Sequence, residues 1–156
     1  MTHDDGYGFL RIGRNLERAD MSTRIIDVRS ASLLPDVDDD SSAFSNIQWM
    51  GVLKSMSAYQ MYRREVRVRI NREDVLEFLL LESRFPRSLL HSIEQVEYAL
   101  SQLPNNKGPV DKTHQLRNYL LNAKPSKLVQ DKLHEFIDDV QIALIEIDRK
   151  LYDSYF

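Results

Sequence analysis

The chain has 156 residues, 42% of them hydrophobic and 29% charged, which suits one globular domain with its own core. A formal net charge of -3 gives no support for nucleic-acid binding by bulk electrostatics. The absence of cysteine removes a disulfide frame, a thiolate nucleophile and a cysteine-based zinc site, and fits a reducing cytoplasm. The first residues lack the pattern of a signal peptide, and no apolar run is long enough to cross a bilayer, so neither nucleic acid nor membrane is an expected partner.

Apolar residues at helical spacing open the chain. Phe9, Ile12, Leu16, Ala19, Thr23 and Ile26 step by 3, 4, 3, 4, 3 and predict a long first helix from about Tyr7 to Leu33. Leu34-Pro35 and the run Asp36, Asp38, Asp39, Asp40, Ser41 and Ser42 read as an acidic loop. Trp49, Leu53, Met56 and Gln60 mark a second helix from about Ser45 to Arg64. From Glu65 to Ile70, valine or isoleucine alternates with charge, but no partner strand is visible, so this stretch reads as a connector. Asn71 is a good N-cap, and Asp74 stands at the third position of a short helix from Arg72 to about Ser83. Pro86 suits the first turn of the next helix, whose inner face is Leu89, Ile93, Val96, Leu100 and Leu103.

Residues 104–109 form the clearest loop, and a short helix follows from about Asp111 to Asn122. Pro125 stops that helix, and Ser126 is expected to cap the last one, faced by Leu133, Ile137, Val140, Leu144, Ile147 and Leu151. Glycine and proline are sparse, five each, which favours long regular elements. The expected fold is all-α, an antiparallel bundle of about six helices in a single domain over residues 1–156.

The basic residues are segregated. Twelve of the fourteen arginines precede residue 90, and six of the seven lysines follow it. Arginine's rigid fork suits fixed pairing with carboxylate or phosphate, whereas lysine suits a wet surface. On the first helix Glu17, Asp20, Arg24 and Asp27 share one face, with Arg14 and Arg18 a turn away on its flanks. Three readings stand. One is a surface ladder of ion pairs, each contributing about 0.2–0.5 kcal/mol. Another is an ionic seam inside the bundle that fixes helix register. The third is a site that grips a ligand or partner, or that uses Glu17 or Asp20 as acid and base. Apolar stripes flank the charged face, so the expectation is the seam inside the bundle.

Arg63, Arg64, Arg67, Arg69 and Arg72 form a second cluster, read either as a solvated connector paired with Glu65, Glu73 and Asp74 or as a clamp for an anion or an acidic partner. No glycine-rich phosphate loop exists, so no self-contained ATP site and no cofactor is expected. Arg84-Phe85-Pro86-Arg87-Ser88 reads as a helix entry, or as a place where Arg87 or Ser88 meets an anion at a helix N-terminus. Asp131, His134 and Asp138 share one helical face, but the paired Glu-x-x-His elements of a di-iron bundle are missing, so no metal is expected.

Several strings together resemble the bacterial alpha-E family, an all-helical domain of unknown function. They are Phe9-Leu10-Arg11-Ile12-Gly13-Arg14-Asn15-Leu16-Glu17-Arg18-Ala19-Asp20-Met21 with Arg24 and Asp27-Val28, then Trp49, Tyr59 to Arg63, and Phe78-Leu79-Leu80-Leu81. Arg84-Phe85-Pro86-Arg87-Ser88, His134-Glu135-Phe136 and Tyr155-Phe156 complete the likeness. Two departures bear on the reading. Members of the family are usually about twice as long and built of two related halves, and this chain is similar to the second half, which makes it a fragment, a split gene product or a short member. Gly8 also stands where a bulkier residue is common, which is expected to loosen the first turn.

The resemblance implies a cytoplasmic bacterial system of peptide synthesis or modification, with an ATP-grasp-like ligase and a transglutaminase-like hydrolase as partners. The leading expectation is a non-catalytic interaction or scaffold domain in which Arg14, Glu17, Arg18, Asp20, Arg24, Asp27, Arg63, Arg64, Arg84 and Arg87 meet a partner or a peptide-like ligand. One alternative is an enzyme of that system with Glu17 or Asp20 as its acid and base. Another is a structural dimerisation module, as a homodimer or with a missing N-terminal half.

Overall fold

Seven α-helices and one 3₁₀ turn form among the residues that the computed structural model describes, 4–33, 43–66 and 69–156. They are α1 (Asp5–Ala31), α2 (Ala43–Ser55), α3 (Tyr59–Glu65), α4 (Arg72–Leu81), α5 (Leu89–Ser101), α6 (Lys107–Ala123), the 3₁₀ turn Pro125–Lys127 and α7 (Gln130–Tyr155). No strand occurs among the described residues, so the fold is all-α. The acidic loop over 34–42 and Arg67 of the connector lie outside the described residues.

The four most extensive packings define a ring in which α1 touches α5 and α7, and α6 touches the same two. Each neighbouring pair is antiparallel. Arg11 and Ser22 of α1 reach Gln95 and Arg87 at opposite ends of the α5 side. Asp27 and Thr23 meet His134 and Gln141 of α7. Glu94 and Glu97 of α5 face Arg117 and His114 of α6, and Lys112 and Tyr119 of α6 face Glu146 and Asp139 of α7. This is an up-down-up-down bundle, and short links between consecutive helices dictate it for α5, α6 and α7.

The core follows the predicted stripes. Ile12, Ala19 and Ile26 of α1, Ile93, Val96 and Leu100 of α5, Leu116 and Leu120 of α6, and Leu133, Ile137, Val140 and Ile147 of α7 are buried in one continuous cluster. Helices α2 to α4 close one end of the bundle, where α4 packs on the 3₁₀ turn and on α5. Ser126 Oγ donates to Glu77 at 2.7 Å and Lys127 lies 3.9 Å from Glu73, which ties that turn to α4.

Local signals place the helix ends. Asp4 caps α1 by accepting from the Tyr7 N–H at 3.0 Å, and Asp5 adds negative charge to the first turn. Asn71 caps α4 as expected, accepting from the Asp74 N–H at 2.8 Å. Four expectations are corrected. The second helix is broken in two, because Ser57 adopts a left-handed backbone (φ 54°) between α2 and α3. Pro86 lies in the turn before α5, and Ser88 is the N-cap. Helix α6 begins at Lys107, taking in Pro109 in its first turn, where a missing N–H costs nothing. Ser126 sits in the 3₁₀ turn, and α7 starts only at Gln130, after Val129. Gly8 also has a packing reason, since a Cβ there would stand 3.3 Å from Leu103 Cδ2 across the α1–α5 contact.

Candidate functional site

The charged face of α1 lies on the surface, not inside the bundle. Helix α1 turns Ile12, Asn15, Ala19, Ser22, Thr23 and Ile26 inward, which leaves Arg14, Glu17, Met21, Arg24 and Val28 on the opposite side. The buried seam expected from the sequence is therefore corrected: the apolar flanks it relied on face different ways, one into the core and one into solvent. Asp20 and Arg24 form the only ion pair within the face among the described residues, 2.8 Å apart and solvent-accessible. The Asp20 carboxylate raises the Arg24 guanidinium above its usual range, first by hydrogen bonding and then by charge. Arg14 and Glu17 make no ion pair or hydrogen bond with a described residue.

The two flanks of this face are anchored differently. On the α5 side, Arg18 Nη1 approaches the Pro86 carbonyl at 3.4 Å, and Ser22 Oγ donates to the Arg87 carbonyl at 2.9 Å. On the α7 side, Asp27 Oδ1 lies 2.7 Å from His134 Nδ1, and Asp138 lies 3.6 Å from His134 Nε2. The hydrogen bond to Asp27, its charge and the charge of Asp138 hold the His134 imidazolium above the ordinary histidine range. A raised folded-state value means this contribution to stability is complete below the unfolded imidazole pKa, near ~6.5, and is lost as pH rises through the folded value. An NMR titration of His134 should therefore show a midpoint above that of a free imidazole, and Asp27→Asn should bring it back down. An unchanged midpoint in Asp27→Asn would show that the pairing is absent in solution.

The Arg84–Ser88 segment is a junction and not an open anion site. Phe85 is buried, stacked on Phe78 with centroids 5.0 Å apart, and Phe78 meets Tyr62 edge-on at 5.4 Å. Burial, with Asp74 nearby, pushes the Tyr62 hydroxyl up to about 12, and that hydroxyl donates to the Arg69 carbonyl at 3.2 Å. Ser88 Oγ is used twice, donating to the Glu82 carbonyl at 2.6 Å and accepting from the His91 N–H at 3.1 Å. Arg87 Nη1 donates to the Met56 carbonyl at 3.3 Å, bracing the break between α2 and α3. Arg84 is exposed and pairs with Glu65 and Glu82. Arg63 and Arg64 are exposed at the last turn of α3, where positive charge suits the helix dipole.

Three of the grooves among the described residues lie elsewhere. One of about 250 Å³ runs between α6 and α7, spanned by Lys112–Glu146 at 3.0 Å and by the Tyr119 hydroxyl donating to Asp139 at 2.9 Å. A second of about 270 Å³ is lined by Glu94, Glu97, Tyr98, Ser101 and Arg117, and a third of about 190 Å³ lies between Val66 and α4. None of the three borders Glu17, Asp20 or Arg24.

Sequence reasoning missed two features of α1. Asn15 is buried, with Nδ2 donating to the Arg11 carbonyl at 2.8 Å and Oδ1 unpaired, which sets a polar point into the α1–α5 contact. Its inward position was legible from its place midway between Ile12 and Ala19. The exposed apolar residues Leu10, Met21 and Val28 also went unread, because attention to the charges hid their shared face.

No helix among the described residues is long and apolar enough to cross a membrane. No curated protein matches the chain, and no solved structure does. A family model does: the alpha-E domain, described as a predicted alpha-helical domain with a conserved ER motif, matches residues 1–156. The sequence contains a single Glu-Arg step, Glu17-Arg18, in the middle of α1. The match spans every element described above, and the chain belongs to the alpha-E family.

Proposed function

We propose that the chain is a non-catalytic binding domain that presents the outer face of α1 to a protein partner. One observation carries this reading. Leu10, Met21 and Val28 are 48%, 52% and 67% exposed, and they alternate with Arg14, Glu17 and Arg24 along one side of a rigid helix. Apolar residues interleaved with charges of both signs are what a specific protein surface uses, burial supplying affinity and charge supplying register. The Glu-Arg step of the family description lies on this side, with Glu17 pointing out and Arg18 braced against the Arg84–Ser88 junction. A partner on α1 would thus contact a surface fixed to the core through Ser22 and Asn15.

The family resemblance suggests the partner: an ATP-grasp-like ligase, or a transglutaminase-like hydrolase, in a cytoplasmic bacterial system of peptide synthesis or modification. Binding of the ATP-grasp-like protein is the test. Met21→Asp and Glu17→Lys should each weaken it roughly tenfold, as loss of a central interface contact does. Both positions are exposed, so stability should stay within about 0.5 kcal/mol of the parent. Unchanged affinity in both variants would overturn the assignment of this face.

A further inference from the structure

Helix α7 and its C-cap Phe156 carry a second exposed stripe, in which Asp138 also lies 3.6 Å from His134 and Phe156 tilts against Phe9. Asp138, Ile142, Ile145, Arg149, Tyr152 and Phe156 step by 4, 3, 4, 3, 4, all on the side away from Leu133, Ile137, Val140, Leu144 and Ile147. Ile142, Ile145, Tyr152 and Phe156 are 57%, 61%, 67% and 83% exposed. Alternating steps of three and four give the near-3.5 repeat that keeps one helix seam facing another over many turns. Exposed side chains of this size on every turn are unusual for a surface that meets only water.

The order of charges along the stripe selects what covers it. The two isoleucines sit centrally, with Asp138 one turn before them and Arg149 one turn after. In an antiparallel pair of α7 helices centred between Ile142 and Ile145, Ile142 of one copy faces Ile145 of the other. Asp138 then faces Arg149, twice by symmetry. In a parallel pair Asp138 would face Asp138 and Arg149 would face Arg149, like against like, which disfavours that arrangement. From Asp138 to Phe156 the stripe offers roughly 27 Å of seam at the helical rise. We propose that the outer face of α7 binds the same face of a second copy of this chain, antiparallel, about a two-fold axis between Ile142 and Ile145. The contact is isologous, so it closes at a dimer and builds no filament.

A charge-exchange series on the full chain tests this by sedimentation equilibrium from micromolar to hundreds of micromolar. The parent should dimerise. Ile145→Asp should raise the dissociation constant roughly tenfold or more, and Arg149→Asp or Asp138→Arg alone should do the same by placing like charges opposite each other. The double variant Asp138→Arg with Arg149→Asp exchanges the partners and should return the constant to within about threefold of the parent. That rescue requires the antiparallel register, because residues 138 and 149 lie three turns apart on their own helix. All three positions are exposed, and circular dichroism reports whether each variant keeps its helices. A parent that stays monomeric throughout, single swaps with no effect, or a double variant as weak as the singles would each overturn the proposal. Met21→Asp should leave this dimer intact, and Ile145→Asp should leave partner binding through α1 intact, so the two surfaces stand or fall separately.

Discussion

Phe85→Ala should cost about 3–5 kcal/mol of stability, the usual range for removing a buried phenylalanine. The ring is 4% exposed and forms the outer member of the Tyr62–Phe78–Phe85 stack, which joins α3, α4 and the entry to α5. Its backbone is fixed on both sides, the Phe85 N–H donating to the Glu82 carbonyl at 3.1 Å and the Phe85 carbonyl accepting from the Ser88 N–H at 2.9 Å. A segment tied down in this way cannot collapse into the space the ring leaves. The expected fall in Tm is roughly 6–20 °C for a domain of this size. Trp49, the single tryptophan, is buried in the α2–α4 end, so its fluorescence reports on that end while far-UV circular dichroism reports on the whole. Coincident urea transitions with a lowered midpoint are expected. A loss below about 1 kcal/mol would mean the stack does not hold the junction.

Ser88→Ala should cost about 2 kcal/mol, and Ser126→Ala clearly less. The Ser88 side chain is fully buried, and its removal leaves both the His91 N–H at the start of α5 and the Glu82 carbonyl without their partner. Ser126 caps no helix, and its hydroxyl donates to Glu77, an exposed residue whose carboxylate water can solvate instead. Thermal denaturation of the two variants side by side decides the matter. Equal losses, or a larger one at Ser126, would contradict the capping arrangement.

The long helices were legible because their buried faces repeat without interruption. Ile12, Ala19 and Ile26 on α1 and Leu133 to Leu151 on α7 keep the 3.6 period, and both helices end within a few residues of where the pattern fades. The division between α2 and α3 was not legible, since no glycine or proline marks it. A serine in left-handed conformation makes the turn, and Trp49, Leu53 and Met56 on one side and Tyr62 on the other give no sign of a change in direction. Two helix starts were misplaced for a related reason: Pro86 and Ser126 each precede the observed helix by a few residues, and only the backbone shows that α5 begins after Ser88 and α7 after Val129.

The candidate site was legible in content but not in placement. The spacing of Glu17, Asp20, Arg24 and Asp27 correctly put them on one helical side. It could not say that the inward arc is centred on Ala19, so that Asp20 and Asp27 graze the α7 boundary while Glu17 and Arg24 point into solvent. The stripe on α7 was hidden by the strength of its neighbour. The period alone sets Ile137 and Ile147 on the inner face and leaves Ile142 and Ile145 off it, but only burial shows that the second pair stays exposed.

The ring order also governs how the chain is born. Helix α1 leaves the ribosome before the rest of the bundle, yet the two helices it packs against most, α5 and α7, lie far downstream, the second starting only at Gln130. At about 5–20 residues per second, the interval between finishing α1 and finishing α7 is roughly 6–25 s. Ile12, Ala19 and Ile26 wait for α5 through the earlier part of that interval and for α7 through all of it. Vectorial synthesis thus offers α1 its main partner α5 before α7 exists, and the ring closes only with the last helix.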